Sequence, residues 1–200
     1  MNKDTNLSEL PAGLPTPIDD GACDHLLGMN LPEISLASTQ GDEVNLSLLS
    51  GLTVIYIYPM TGRPDTPLPD GWNQIPGARG CTPQACSFRD HSAELSELNA
   101  SVFGLSTQSR DYQSEAAQRL HLPFALLSDE NLAFATKLSL PTMDVEGQTL
   151  IKRITLICDG SKIVQVFYPV FPPDASAIQV ISWLHLYSNS TFKMQDEKSI

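Results

Sequence analysis

The spacing of apolar and polar positions changes repeatedly along the chain, and each change marks an element. Leu31-Pro32-Glu33-Ile34-Ser35-Leu36 alternates with period two, and Gln40-Gly41-Asp42-Glu43 supplies a turn into Val44-Asn45-Leu46, which predicts a hairpin. Residues 53–58 are β-branched and aromatic without a polar break, as in a strand buried on both faces, and Pro59 ends them. Ala85, Phe88, Leu95 and Leu98 then recur at helical spacing, predicting a helix over about 82–99. A second buried strand is expected over 101–106, a helix over 112–120, a short strand over 124–128 and a short helix over 132–138. Residues 153–158 and 163–168 flank Asp159-Gly160-Ser161 as a strand–turn–strand, and 175–187 close the pattern as an amphipathic helix. Strand–helix–strand units followed by a hairpin and a helix describe one α/β domain: a central mixed sheet with helices on both faces.

The ends lack this patterning. Residues 1–24 are polar and carry Pro11, Pro15 and Pro17, so they are expected as an N-terminal arm ahead of a domain over 25–188. Residues 189–200 show no apolar period and are expected as a tail. The segment between Pro59 and Cys81 is a long loop rich in Pro and Gly at the carboxyl end of a central strand. Open α/β sheets bind ligands at that place, and long internal loops are usually functional or disordered.

Composition narrows the function classes. Apolar residues make up 42% of the 200 residues and charged ones 18%, which supports a real core and argues against disorder or a fibre. A net charge of −11 repels a phosphate backbone or an anionic membrane, so neither nucleic acid nor membrane is an expected partner. The longest apolar runs are far short of the roughly 20 residues that span a bilayer, and the start lacks the basic-then-apolar pattern of a signal peptide. The expected setting is therefore cytoplasmic. Four cysteines, Cys23, Cys81, Cys86 and Cys158, are too few and too scattered for a disulfide framework.

Cys81-Thr82-Pro83-Gln84-Ala85-Cys86 places two thiols at the start of the helix after the long loop. Thr82 can cap that helix and Pro83 suits its first position, which puts Cys81 at or just outside the N-terminus. Free N–H groups and the helix dipole there favour an anion, and Arg79 adds positive charge, so Cys81 is expected as a thiolate nucleophile near neutral pH. A sulfenic acid formed on it can be trapped by a second thiol, and Cys86 is the nearest. If Cys81 is helical, the first turn must unwind before that bond closes; if the helix begins at Thr82, less movement is needed. Taken alone, the pair equally fits two buried core cysteines. The spacing is also admissible for zinc, but no second Cys/His pair stands near to complete four ligands, and His91 reads as a helix-surface residue, so no metal or cofactor is expected.

The segment from Gly80 to Asp90, G-C-T-P-Q-A-C-S-F-R-D, resembles the active-site helix of peroxiredoxins. It is most similar to the Q type, also called bacterioferritin comigratory proteins, with the motif G-C-T-x-x-A-C-x-[FL]-R-D. The likeness extends in order from about Leu26 to Leu186, including Val54 to Pro59, Val102 to Thr107, Leu126 to Asp129 and Arg153 to Ile157. It implies a thioredoxin-like fold and thiol-based reduction of hydrogen peroxide or organic hydroperoxides. Cys81 would be the peroxidatic cysteine, Cys86 the resolving one, and Arg153 the group that holds the thiolate and polarises the peroxide. A thioredoxin-like dithiol would recycle the disulfide, and the chain would act as a monomer or weak homodimer.

This sequence departs from the family at two points. Ala78 stands where the family has a hydroxyl three residues before the cysteine, and Arg79 replaces a proline, with an extra loop ahead of both. Thr61 is the candidate to supply the missing hydroxyl, weighed against an ordinary loop threonine. Two other readings stay open: a redox sensor or binding module with little turnover, and a thiol–disulfide oxidoreductase, although those usually carry C-x-x-C. Cys23 and Cys158 read as bystanders, with Cys23 a possible bridge to another chain.

Overall fold

The computed structural model describes residues 6–196. Its first hairpin pairs β1 (Ser35–Ser38) with β2 (Glu43–Asn45) across Gly41, whose φ of +110° a side chain would resist. The buried run gives β3 (Leu52–Ile57), followed by the long loop, α1 (Cys81–Asp90) and α2 (Ser92–Glu97). Next come β4 (Ala100–Ser106), α3 (Arg110–Arg119), β5 (Leu126–Ser128) and α4 (Ala133–Leu138). A hairpin of β6 (Thr142–Val145) and β7 (Gln148–Ile151) precedes β8 (Ile154–Asp159), β9 (Lys162–Phe167) and α5 (Ser176–Asp196).

Seven strands form one mixed sheet in the order β2-β1-β5-β4-β3-β8-β9, and β6-β7 stands apart. β3 lies at the centre, parallel to β4 and antiparallel to β8. Alternation along it divides the core in two. Val54, Tyr56 and Tyr58 face a cluster with Phe88 of α1, Leu95 of α2, Ala116 of α3 and Val180 of α5. Ile55 and Ile57 face a second cluster with Leu127, Leu156 and the α4 residues Phe134, Ala135 and Leu138. Among the described residues, no helix is long and apolar enough to cross a membrane.

Gly104 shows how tightly the first cluster is packed. It pairs in register with Tyr56, and a Cβ there would lie 2.5 Å from Leu126 Cδ2 and 2.7 Å from the Tyr56 hydroxyl. The Tyr56 ring cannot yield, because it stacks on Phe88 at 4.7 Å and packs edge-on against Phe124. Gly104→Ala is therefore expected to destabilise the fold by about 2 kcal/mol through overpacking, read as a lower urea midpoint at unchanged slope.

Three expectations are corrected. The helix expected over 82–99 breaks at His91, whose φ/ψ of −104°/12° separates α1 from α2. The β6–β7 hairpin was not anticipated; its turn needs positive φ at both Glu146 (49°) and Gly147 (79°), a conformation that glutamate rarely advertises. Finally, α5 runs to Asp196, well into the stretch expected as a tail. Once its first turns are fixed by buried Ala177, Val180 and Leu184, each added residue gains a hydrogen bond without a new nucleation cost. Residues 1–5 of the expected arm and 197–200 of the expected tail lie outside the described residues.

Candidate active site

Helix α1 begins two residues earlier than the capping residues predict. Gly80 takes the N-cap position with φ +105° and no side-chain cap, so Cys81 is the first helical residue and Thr82 and Pro83 are the second and third. A side chain at Gly80 would collide with Pro173 and with Leu10 of the arm, and that left-handed φ is open to glycine at little cost. The first turn closes by Gln84 N–H donating to Gly80 O at 3.0 Å. The Cys81 thiol thus sits at the positive end of α1, in the first turn, where a developing anion is favoured.

Arg153, one residue before β8, supplies the second source of positive charge. Its Nη2 donates to Cys81 Sγ at 3.2 Å, to Ala78 O at 3.0 Å and to Arg79 O at 3.2 Å, while Nε donates to Gly77 O at 3.3 Å. Nη1 donates to Gln84 Oε1. Three successive loop carbonyls therefore aim one guanidinium at one sulfur, and its planar fork is what allows so many acceptors to be served at once. The Cys81 thiol in turn donates to Ala78 O at 3.7 Å. Loss of that proton releases Ala78 O and leaves the sulfur facing Arg153. Both side chains are buried, Cys81 at 4% and Arg153 at 3% exposure, so the pair acts with little solvent screening.

Cys86 lies five residues on, half-buried, and both thiols are free. Burial pushes its thiol above the ordinary value, partly opposed by the Arg89 guanidinium beside it. Because Cys81 is helical, helix rise and radius put the two Cα atoms about 8–9 Å apart. A disulfide spans roughly 4.4–6.8 Å, so α1 must open locally before the sulfurs can join.

Thr61, just past the end of β3, is buried with its polar atoms turned to Gln108. Its hydroxyl and N–H donate to Gln108 Oε1 at 3.0 and 2.8 Å, and Gln108 Nε2 donates back to Thr61 O at 3.1 Å. Among the described residues no hydrogen bond links Thr61 to Cys81 or Arg153. At position 78 the site uses a backbone carbonyl where the resemblance leads one to expect a hydroxyl. The structure thus brings Cys81 and Arg153 into contact, holds Cys86 on the same helix, and ties Thr61 to Gln108. Gln84 escaped the sequence reading, although its place three residues after Cys81, on the same helical face, is a signal for it. Gln108 carries no such signal.

The long loop and the arm enclose this centre. Trp72 is buried with Ala78, Val145 and Leu150 in a small apolar cluster of its own, and Asp70 N–H donates to Glu146 Oε1 at 3.0 Å, so the β6–β7 hairpin anchors the loop. Arg79 Nη2 donates to Asn6 O at 2.6 Å, and Leu7 and Leu10 lie against Gly62 and Gly80. Further along the arm, Asp20 accepts from Lys152 Nζ at 3.0 Å and from the Tyr168 hydroxyl at 2.8 Å. These bonds hold its carboxyl down to about 2 from an ordinary 3.8. A depressed folded-state value contributes stability above the ordinary value and loses it as pH falls. The arm is therefore expected to loosen between pH 3.8 and about 2, seen by NMR as a change in the shift of the Ala22 amide, which donates to Asp20 Oδ1. Burial pushes the thiols of Cys23 and Cys158 up to about 12, which makes both poor nucleophiles at neutral pH and fits their reading as bystanders.

Residues 26–181 match the Redoxin family. Peroxiredoxin Q, chloroplastic, from Sedum lineare is 33% identical over 142 residues, covering 70% of this chain and 67% of the plant protein. The chain spans less than two thirds of the length of several other plant relatives that it matches. Peroxiredoxin Bcp of Escherichia coli is 29% identical over 157 residues, covering 76% of this chain and 91% of the bacterial protein. The crystal structure of peroxidoxin BcpB from Mycobacterium tuberculosis superposes with a TM-score of 0.65 at 28% identity, covering 80% of this chain and 96% of that one. A mixed sheet carrying a cysteine and an arginine in contact, a family match over most of the chain and these relatives lead to one assignment: the chain belongs to the Redoxin family, within its peroxiredoxin Q/Bcp group.

Proposed function

We propose that the chain is a thiol-dependent peroxidase, and the observation that carries this reading is the 3.2 Å contact between Arg153 Nη2 and Cys81 Sγ at the start of α1. The Cys81 thiolate attacks one oxygen of a hydroperoxide, the O–O bond breaks, and the leaving oxygen takes a proton to depart as water or alcohol. Arg153 stabilises the thiolate and then the charge developing on the leaving oxygen. The sulfur is left as a sulfenic acid. After α1 opens, the Cys86 thiol attacks it, the hydroxyl leaves as water, and a Cys81–Cys86 disulfide remains. A thioredoxin-like dithiol reduces that bond through a mixed disulfide, so one peroxide consumes one dithiol.

The test is one equivalent of hydrogen peroxide added to the reduced protein, followed by intact mass and peptide mapping. The expected product is a chain lighter by two hydrogens with Cys81 joined to Cys86, reopened by dithiothreitol or thioredoxin. A protein that leaves the peroxide unconsumed overturns the reading. A disulfide between chains overturns the intramolecular route. Size exclusion in both redox states checks the further reading of a monomer or weak homodimer. We place the reaction in a compartment that keeps thiols reduced: the cytoplasm on the composition, although the plant relatives are named as chloroplastic.

One observation favours a second reading. With Ala78 in place of a hydroxyl and the Thr61 hydroxyl committed to Gln108, fewer donors face the peroxide, which suits a redox sensor or binding module that turns over little. Steady-state turnover with thioredoxin separates the two.

A further inference from the structure

A chain of buried polar groups runs from Arg153 away from the reacting sulfur into the apolar cluster behind it. Arg153 has donors and no acceptor, so the amide of Gln84 must present Oε1 to it and keep Nε2 on the other side. That Nε2 lies 3.3 Å from Ser176 Oγ, which must therefore accept. The single proton of Ser176 is then free for Thr155 Oγ1, also at 3.3 Å. Gln84 and Thr155 are fully buried and Ser176 is 1% exposed, so no solvent competes for these bonds. The directions of the first two bonds follow from the arginine at its head, and in the third either hydroxyl can donate.

Three elements meet in this series: Gln84 on α1, Thr155 on β8 and Ser176 at the first residue of α5. Around them the packing is apolar, with Val54, Ile157, Ala177 and Val180 in the same cluster. A buried hydroxyl in such surroundings is costly without a partner, and alanine or valine would satisfy packing alone. We propose that Ser176, oriented by Thr155, is a positioning residue for the peroxidase reaction, which locks the Gln84 amide so that the Arg153 guanidinium stays aimed at Cys81. This proposal rests on the roles given above to Cys81 and Arg153. Without the Ser176 acceptor, the Gln84 amide can turn and bring Nε2 against a guanidinium that has only donors. That repulsion moves Arg153 off the sulfur.

The test compares Ser176→Ala, Thr155→Val and Thr155→Ser with the wild type. Two readouts are taken: kcat/KM for hydrogen peroxide with dithiothreitol, and the pH dependence of Cys81 alkylation by iodoacetamide, assigned by peptide mapping. Ser176→Ala is expected to lose about tenfold in kcat/KM, equivalent to about 1.4 kcal/mol, and to need a higher pH for half-maximal alkylation. Thr155→Val is expected to fall part of the way, since Gln84 keeps its acceptor, and Thr155→Ser to restore both readouts. Wild-type kcat/KM and an unshifted alkylation profile in Ser176→Ala overturn the proposal. So does a loss of rate that follows only the folded fraction, measured by thermal melting, with the profile unshifted. If the wild type consumes no peroxide, the peroxidase reading falls. The alkylation profile, which needs no turnover, then judges the positioning role: a shift upholds it and an unshifted profile overturns it.

Discussion

Cys81→Ser is expected to bring peroxide consumption down to the level of buffer and dithiol, with the fold intact. Serine fills nearly the same volume and keeps a donor toward Ala78 O, so the packing around the start of α1 has little reason to change. Its hydroxyl does not ionise near neutral pH, and no sulfenic acid can form, so the covalent step disappears with the whole of its acceleration, on the order of 10⁶-fold or more for an enzyme. Stopped-flow consumption of hydrogen peroxide checks this, with thermal melting as the control for folding. Cys86→Ser supplies the contrast. Its first turnover should persist, trapped as a sulfenic acid at Cys81 by a dimedone reagent, while steady turnover with thioredoxin falls and excess peroxide carries Cys81 on to the sulfinic acid. Equal defects in the two variants would contradict the division of labour between them.

Arg153→Lys is the second large effect. The charge is kept, yet an ammonium on a flexible stem cannot serve the carbonyls of Gly77, Ala78 and Arg79, the Gln84 amide and the Cys81 sulfur together. A fall of about 10²-fold or more in kcat/KM is expected, the scale of losing one preorganised donor at a site of developing charge. Cys81 alkylation at neutral pH should slow as well, because the donor facing the thiolate is lost. Retention of wild-type kcat/KM would show that charge alone suffices and that the fork geometry is idle.

The sequence carried the elements whose cause is local. Residues 53–58 read as a buried strand because β-branched and aromatic side chains fill both faces, and the strand forms there. The thiol pair was legible because Cys81 and Cys86 flank one helix start. What stayed hidden depends on neighbours remote in the chain. Thr82 and Pro83 look like the start of a helix, but Gly80, pressed by Pro173 and Leu10, takes the cap. Nothing local to the Pro- and Gly-rich loop buries Trp72, and the β6–β7 hairpin supplies the Val145 and Leu150 that do. Gln84, Thr155 and Ser176 have the composition of surface residues, and it is their burial against one another that distinguishes them.

The divided core has a consequence for how the molecule breathes. The cluster on one face of the sheet involves α1, α2, α3 and α5, the cluster on the other involves α4, and among the described residues no helix belongs to both. Opening α1 for disulfide formation withdraws support from one compartment while the strands between keep the other sealed. Native-state hydrogen exchange on the oxidised protein should therefore show lost protection in α1 and the first turn of α5, with α4 and the β1–β2 hairpin exchanging as before. The sheet would then serve as a bulkhead that confines each redox cycle to half of the fold.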